Sequence, residues 1–241
     1  MTAPAGPDLV LITGTSSGLG AATARRLVAD GYRVVGLSRR DVDPAAIGEG
    51  YVHHRADLAD LDGIPALAKE LISTHGRPYG LVNNAASGLD GLLPTMHNSQ
   101  IRSVVELDLL APVLLTKYLC RPMLSAGRGR IVNISSIVAR TGFRGLSVYA
   151  AAKAGLEGFT RSLARDLGAR GVTVNAVAPG FLDTAMTEVL ESGNLDRIKR
   201  RSPMNRFATA EEVAAAVAHL LGPDSAGTTG TTVTVDAGSS A

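Results

Sequence analysis

The sequence predicts an α/β protein whose mostly parallel, doubly wound sheet is covered by helices on both faces. Three observations carry that expectation. Short apolar runs alternate with helix-period segments along the whole 241 residues. The first run leads through a glycine-rich turn directly into a helix. No internal repeat or low-complexity tract interrupts the alternation. Parallel strands need crossover connections, and helices supply them on both faces of the sheet. The length suits one domain around one core.

Leu9 to Ile12 is the first strand, followed by a helix from Leu19 to Ala29. Arg33 to Leu37 is a second strand, Tyr51 to Asp57 a weaker third, and a helical stretch runs around Ile64 to Ile72. Leu81 to Asn83 reads as a short buried fourth strand. Ile101 to Leu124 reads as one long helix in which Pro112 is placed to disturb the backbone. Ile131 to Ile134 is the fifth strand, Tyr149 to Leu167 a helix, and Thr173 to Ala178 the sixth strand. A helix from Glu211 to Leu221 and a strand from Thr231 to Val235 complete a seven-stranded pattern. Ligands of such sheets sit beyond the carboxyl ends of the strands, where Gly14 to Gly20, Asn83 to Ala86, Ser135 to Ser136 and Pro179 to Gly180 converge.

Bulk composition narrows the function classes. No apolar run approaches the roughly 18 to 20 residues that span a bilayer, and Met1 to Asp8 shows no signal pattern, so a cytoplasmic protein is expected. The formal charge of +2 is dispersed, which does not suggest nucleic-acid binding. The densest basic run, Arg197, Lys199, Arg200 and Arg201, reads as a solvated helix face or as a steering patch for an acidic substrate or carrier. Cys120 is the only cysteine and is expected to fill space. His53 and His54 are neighbours on a strand and point to opposite faces, so no metal site is read; His75, His97 and His219 are isolated.

The first loop, Thr13-Gly14-Thr15-Ser16-Ser17-Gly18-Leu19-Gly20, offers close backbone approach and free amides at a helix amino terminus, the setting for a pyrophosphate. No Lys follows, as a nucleoside-triphosphate loop requires, so a dinucleotide fits better. After the second strand stand Ser38, Arg39 and Arg40, with no carboxylate to bind a ribose. A guanidinium there, Arg39 in our reading, suits a 2′-phosphate and favours NADP(H) over NAD(H).

Tyr149 and Lys153 lie four residues apart on one helix face. A carbonyl receiving hydride needs a proton donor, and a nearby ammonium is expected to draw a phenol down towards working pH. Ser136, at the end of the fifth strand, can hydrogen-bond the same oxygen. Taken singly, a Tyr at a helix start and a Ser in a turn are ordinary structural residues.

Together these motifs resemble the short-chain dehydrogenase/reductase family, from about Leu9 to Gly238. TGxxxGxG stands at Thr13 to Gly20, and Asn83-Asn84-Ala85-Ala86 replaces the family's NNAG. Ser136, Tyr149 and Lys153 match its catalytic Ser and Tyr-x-x-x-Lys. The resemblance implies a single Rossmann-type domain, with a cofactor part over about 1–135 and a catalytic and substrate part over about 136–241. It also implies cofactor contacts from Gly14, Ser16, Ser17, Gly18, Leu19, Gly20, Asp57, Leu58, Asn84, Ala85, Pro179, Gly180 and Thr184, and a hold by Lys153 on the nicotinamide ribose. Where the family usually carries an Asn supporting a proton-relay water, this chain has Asp108, read as a tolerated change in the catalytic set.

The pattern is most similar to 3-oxoacyl-acyl-carrier-protein reductases, which implies NADPH-dependent reduction of a 3-oxoacyl or polyketide-like ketone. An acyl carrier protein is then a candidate partner, docking on Arg128, Arg130 and Arg170, and a homotetramer or homodimer is expected. Phe143, Leu146, Phe181, Met186 and Val189 are expected to make the substrate border apolar. Two other readings stand beside this one: oxidation of an alcohol with NAD(P), and a non-catalytic NADP(H)-binding regulator or scaffold.

Overall fold

The computed structural model describes residues 7–182, 199–200 and 202–241. Seven parallel strands form one sheet in the order β3-β2-β1-β4-β5-β6-β7. They are β1 (Leu9–Thr13), β2 (Arg33–Ser38), β3 (Tyr51–Arg55), β4 (Gly80–Asn83), β5 (Gly129–Ile134), β6 (Val172–Pro179) and β7 (Thr232–Val235). The helices are α1 (Gly18–Ala29), α2 (Ile64–His75), α3 (Asn98–Val105), α4 (Ala111–Ala126), the short α5 (Val138–Thr141), α6 (Ser147–Leu167) and α7 (Ala210–Leu221).

The first strand shows why the apolar runs do not alternate. All five of its residues are buried, because each face of the sheet meets its own core. Leu9 and Leu11 point to one side, with Leu71, Leu115, Leu119, Met123 and Ile131. Val10 and Ile12 point to the other, with Leu27, Val34, Val217 and Leu221. The chain turns outward from β1 in both directions, so the loops after β1 and β4 flank the point where the strand order reverses. A crevice opens there at the carboxyl ends of the strands.

Most boundaries expected from sequence hold within two residues. The long helical segment expected over Ile101 to Leu124 is present, and it is disturbed locally just before Pro112. A π-helical turn at Glu106–Leu110 joins α3 to α4, the Ala111 amide donates to the Glu106 carbonyl, and Pro112, which has no N–H to give, follows directly. Pro122 also lies inside α4. Helix α5 and two 3-10 turns, Pro44–Ala46 and Leu93–Thr95, were too short to show a period. Among the described residues no helix is long and apolar enough to cross a membrane.

Candidate active site

The phosphate loop is built by backbone. Gly14 and Gly18 take left-handed φ values of 76° and 53°, open to glycine at little cost. Gly20 is required for a different reason: a Cβ there would run into the Gly14 carbonyl and the Asn84 amide. At the α1 amino terminus, Ser17 makes no side-chain cap, which leaves the amides of the first turn facing the loop. Asn84 holds the loop in place, its Nδ2 donating to the Thr13 carbonyl at 2.8 Å and to the Gly14 carbonyl at 3.3 Å. The Asn84 and Ala85 amides both donate to Thr13 Oγ1 at 2.9 Å. The side chain of Asn84 thus ties β1 to β4.

At the end of β2 it is Arg40, not Arg39, that reaches the loop. Its guanidinium donates to Ser16 Oγ at 3.0 and 3.2 Å and to Ser17 Oγ at 2.8 Å. Ser38 Oγ donates to the Arg40 carbonyl at 2.7 Å and fixes the turn. Arg39 is exposed and makes no hydrogen bond or ion pair among the described residues. Two adjacent arginines at a strand end give no sequence signal to choose between them. Asp57 is exposed and accepts from the Ala59 amide at 3.0 Å, while the Leu58 side chain packs into the core.

The catalytic helix is set by a buried polar chain that sequence reasoning missed. Asn83 on β4 donates to Thr116 Oγ1 at 3.0 Å and to Asn133 Oδ1 at 2.8 Å. Asn133 on β5 donates to Thr160 Oγ1 at 2.9 Å, and Thr160 donates to the Leu156 carbonyl on α6 at 2.8 Å. Asn83 Oδ1 has no partner among the described residues, but the bonds that are made tie α6 to the sheet across β4 and β5. Ser135 Oγ donates to Glu157 Oε1 at 3.0 Å, and Arg140 Nε donates to Glu157 Oε2 at 3.2 Å, so α5 is pinned to the same helix. Each of these residues is unremarkable in sequence; only the fold pairs them.

Ser136, Tyr149 and Lys153 are brought together at the carboxyl end of β5. Lys153 is buried, and its Nζ donates to the Ile134 carbonyl at 2.9 Å while lying 5.5 Å from the centre of the Tyr149 ring. Burial pulls the Lys153 ammonium below its ordinary value, and the Asp108 carboxylate pulls it back up. The half-buried Tyr149 departs from expectation. Its hydroxyl is held above the ordinary value of 10, chiefly by burial and then by the negative charge of Asp108. Only the hydrogen bond with Ser136 pulls the other way. The ammonium was expected to lower the phenol, but Lys153 is turned to the strand carbonyl and the ring face.

Asp108 lies in the π-helical turn, wholly buried. Its Oδ1 accepts from the Ser87 amide at 2.6 Å, and its Oδ2 has no partner among the described residues. Burial pushes the carboxyl up to about 6, with Lys153 and the Ser87 amide working against that. The Ser87 amide was invisible in sequence because any residue supplies one.

On the far side of the cleft β6 ends at Pro179, whose carbonyl accepts from the Ile137 amide at 3.0 Å. A Cβ on Gly180 would press on Asp236, 2.7 Å away. Thr184, Met186, Val189, Arg197 and Arg201 lie outside the described residues. Phe143 meets Phe181 edge-on at 5.1 Å, and Phe181 lies 6.4 Å from Phe207, an apolar wall beside the catalytic corner.

The arginines expected to receive a carrier are engaged elsewhere. Arg128 pairs with Asp8 at 2.7 Å and stacks on Tyr79, Arg130 is buried, and Arg170 donates to the Leu124 carbonyl at 3.3 Å. Arg128 and Arg130 stand at the start of β5, the end of the sheet opposite the cleft. Cys120 is buried, and burial raises its thiol. His53 faces Tyr51, whereas His54 faces Glu70, so the two rings diverge. Among the described residues no group of three acidic, His or Cys side chains is placed to hold a metal ion.

The family model described as enoyl-(acyl carrier protein) reductase matches residues 14–240. The 3-oxoacyl-[acyl-carrier-protein] reductase of Pseudomonas aeruginosa is 40% identical, with 95% of this chain and 96% of that protein aligned. Nodulation protein G of Rhizobium sp. (strain N33) is 39% identical over 95% of each chain. Among solved structures, a Beutenbergia cavernae protein described as an NAD(P)-dependent gluconate 5-dehydrogenase, with NADP bound at low occupancy, superposes with a TM-score of 0.93. It is 33% identical, and 97% of each chain is covered.

Proposed function

The chain belongs to the short-chain dehydrogenase/reductase family of oxidoreductases, and from that premise we propose that it reduces a ketone to a secondary alcohol with NADPH, Tyr149 giving the proton. The observation that carries this reading is the meeting of Ser136, Tyr149 and Lys153 at the carboxyl end of β5, on the same edge of the sheet as a glycine loop whose Gly14 and Gly20 leave no room for a Cβ.

The residues present fit a dinucleotide. The amides of the first turn of α1 suit its pyrophosphate, and Lys153 its nicotinamide ribose. Arg40, with Ser16 and Ser38 beside it, suits a 2′-phosphate, the feature that separates NADPH from NADH. The bound cofactor supplies the hydride.

The chain's own residues do the rest. Ser136 orients the carbonyl oxygen, and Tyr149 donates its phenolic proton as charge develops there. The buried Lys153, fixed by the Ile134 carbonyl, stabilises the phenolate that remains. Phe143 and Phe181 shield the corner from water and suit an acyl chain.

A 3-oxoacyl thioester is the substrate class we favour, because the relatives named above include a reductase acting on such groups carried by acyl carrier protein. Carrier docking would use the cleft side of the molecule, since Arg128 and Arg130 are committed at the opposite end. A cytoplasmic homotetramer or homodimer completes the proposal.

The test is cofactor consumption with a 3-oxoacyl thioester and a panel of ketones, NADPH beside NADH. NADPH turnover at least about tenfold above NADH supports the reading. NADPH binding with no consumption against any carbonyl favours the regulator or scaffold instead.

A further inference from the structure

Asp108 brings an ionisable group, wholly buried, into the catalytic corner. The π-helical turn carries it inward until it is 0% exposed, and the Ser87 amide holds one of its oxygens. The other oxygen is buried without a partner. The turn packs against α3, α4 and α6. From α6 the titratable groups acting on Asp108 or acted on by it are Lys153 and Tyr149. Helices α3 and α4 offer Arg102, Lys117 and Arg121, all solvent-exposed and none acting on it. The loop after β4 gives only the Ser87 amide. Lys153 and Asp108 form no direct ion pair among the described residues, since the ammonium is turned to the Ile134 carbonyl. The carboxylate is therefore not neutralised by direct pairing, although the Lys153 ammonium lies 5.5 Å from the Tyr149 ring.

We propose that Asp108 is a positioning residue that acts through charge: its buried carboxylate keeps Tyr149 protonated, ready to give a proton to a carbonyl oxygen, and defers alcohol oxidation, which needs the phenolate, to more alkaline pH. The proposal rests on the reading of Tyr149 as the proton donor. It leaves the overall equilibrium untouched. What it moves is the pH at which saturated turnover of an alcohol begins.

The direction of the effect follows from electrostatics. A nearby negative charge disfavours a second one in a low-dielectric corner. Tyr149 shows that response, with Asp108 second only to burial among its causes.

The first readout needs no turnover. Tyrosinate absorbance is titrated in the cofactor-free chain and in Tyr149→Phe, and the difference isolates Tyr149. The pair is repeated on an Asp108→Asn background, and on Asp108→Ser should the Asn variant fold poorly. We expect the Tyr149 midpoint to fall by about one pH unit or more when the charge is removed. The second readout is the acid limb of saturated secondary-alcohol oxidation with NADP+, expected to move down by the same amount. Oxidation at neutral pH then rises about tenfold. Unchanged midpoints in the neutral variants overturn the proposal, as does an acid limb that stays in place while the midpoint moves. A lowered midpoint in a chain that turns over no carbonyl or alcohol supports the action of Asp108 on Tyr149 and counts against the reductase reading instead.

Discussion

The phosphate loop and the catalytic corner lie at the same edge of one sheet and are built from opposite materials. The loop is a backbone structure: Gly14 and Gly20 clear space, Gly18 takes a left-handed φ, and Asn84 clamps the turn through main-chain carbonyls. The corner is a side-chain structure in which two ionisable groups, Lys153 and Asp108, are almost or wholly out of water beside Tyr149. The difference teaches that binding a nucleotide and moving a proton place separate demands on one cleft. The loop should fail when space is lost, and the corner when charge or a proton is lost.

The largest effect that sharpens this contrast is Tyr149→Phe. Turnover should fall by about 10² to 10⁴-fold, the usual worth of a positioned acid, with NADPH affinity moving less than about threefold by fluorescence titration. A parallel loss of binding would merge the two regions. Gly20→Ala should do the reverse in kind, since the new Cβ meets the Gly14 backbone rather than a side chain that can swing away. A stability loss of about 1 to 3 kcal/mol in urea unfolding, with NADPH affinity down at least about tenfold, is expected.

Asp108→Asn probes the corner through stability. The parent carboxyl titrates at about 6 in the folded chain against an ordinary 3.8, so the folded state binds the extra proton between those values. The parent is therefore favoured below that window and loses the benefit as pH rises through it, by on the order of 3 kcal/mol. The advantage of the Asn variant over the parent, read from denaturant midpoints, should be larger at pH 7 than at pH 4 by about that amount. An advantage that does not change with pH would mean that Asp108 is not buried as a charge. The smallest effect belongs to the loop. Arg40→Ala should weaken NADPH about tenfold and leave NADH nearly unchanged, whereas Arg39→Ala should move either by less than about twofold. Equal effects of the two substitutions would return Arg39 to the place the sequence suggested.

The same contrast separates what the sequence made legible from what it did not. Glycines at fixed spacing after an apolar run declare a loop because their chemistry is a backbone property, readable without the fold. The seven strands were legible for a similar reason: strands buried on both faces leave continuous apolar runs such as Leu9 to Ile12. Ser136, Tyr149 and Lys153 were recognisable as a set, but the direction of Tyr149's shift was not, because it depends on which way Lys153 points and on how deeply the π-helical turn carries Asp108. The Asn83, Asn133 and Thr160 chain was hidden because its members are 27 to 50 residues apart and pair only across the sheet. That Arg40 rather than Arg39 reaches the loop serines was not legible, since side-chain reach is decided by the turn that Ser38 closes.

If hydride and proton meet at one carbonyl beside Tyr149, deuterium should pass from nicotinamide-deuterated NADPH to a 3-oxoacyl thioester, and this is measured with the parent chain and Tyr149→Phe side by side. Deuterium on the new carbinol carbon is expected with the parent chain, and a rate lower by at least about a hundredfold in the variant. NADPH held by the chain with no deuterium delivered to this or any other carbonyl, or equal rates in the two proteins, would contradict that mechanism.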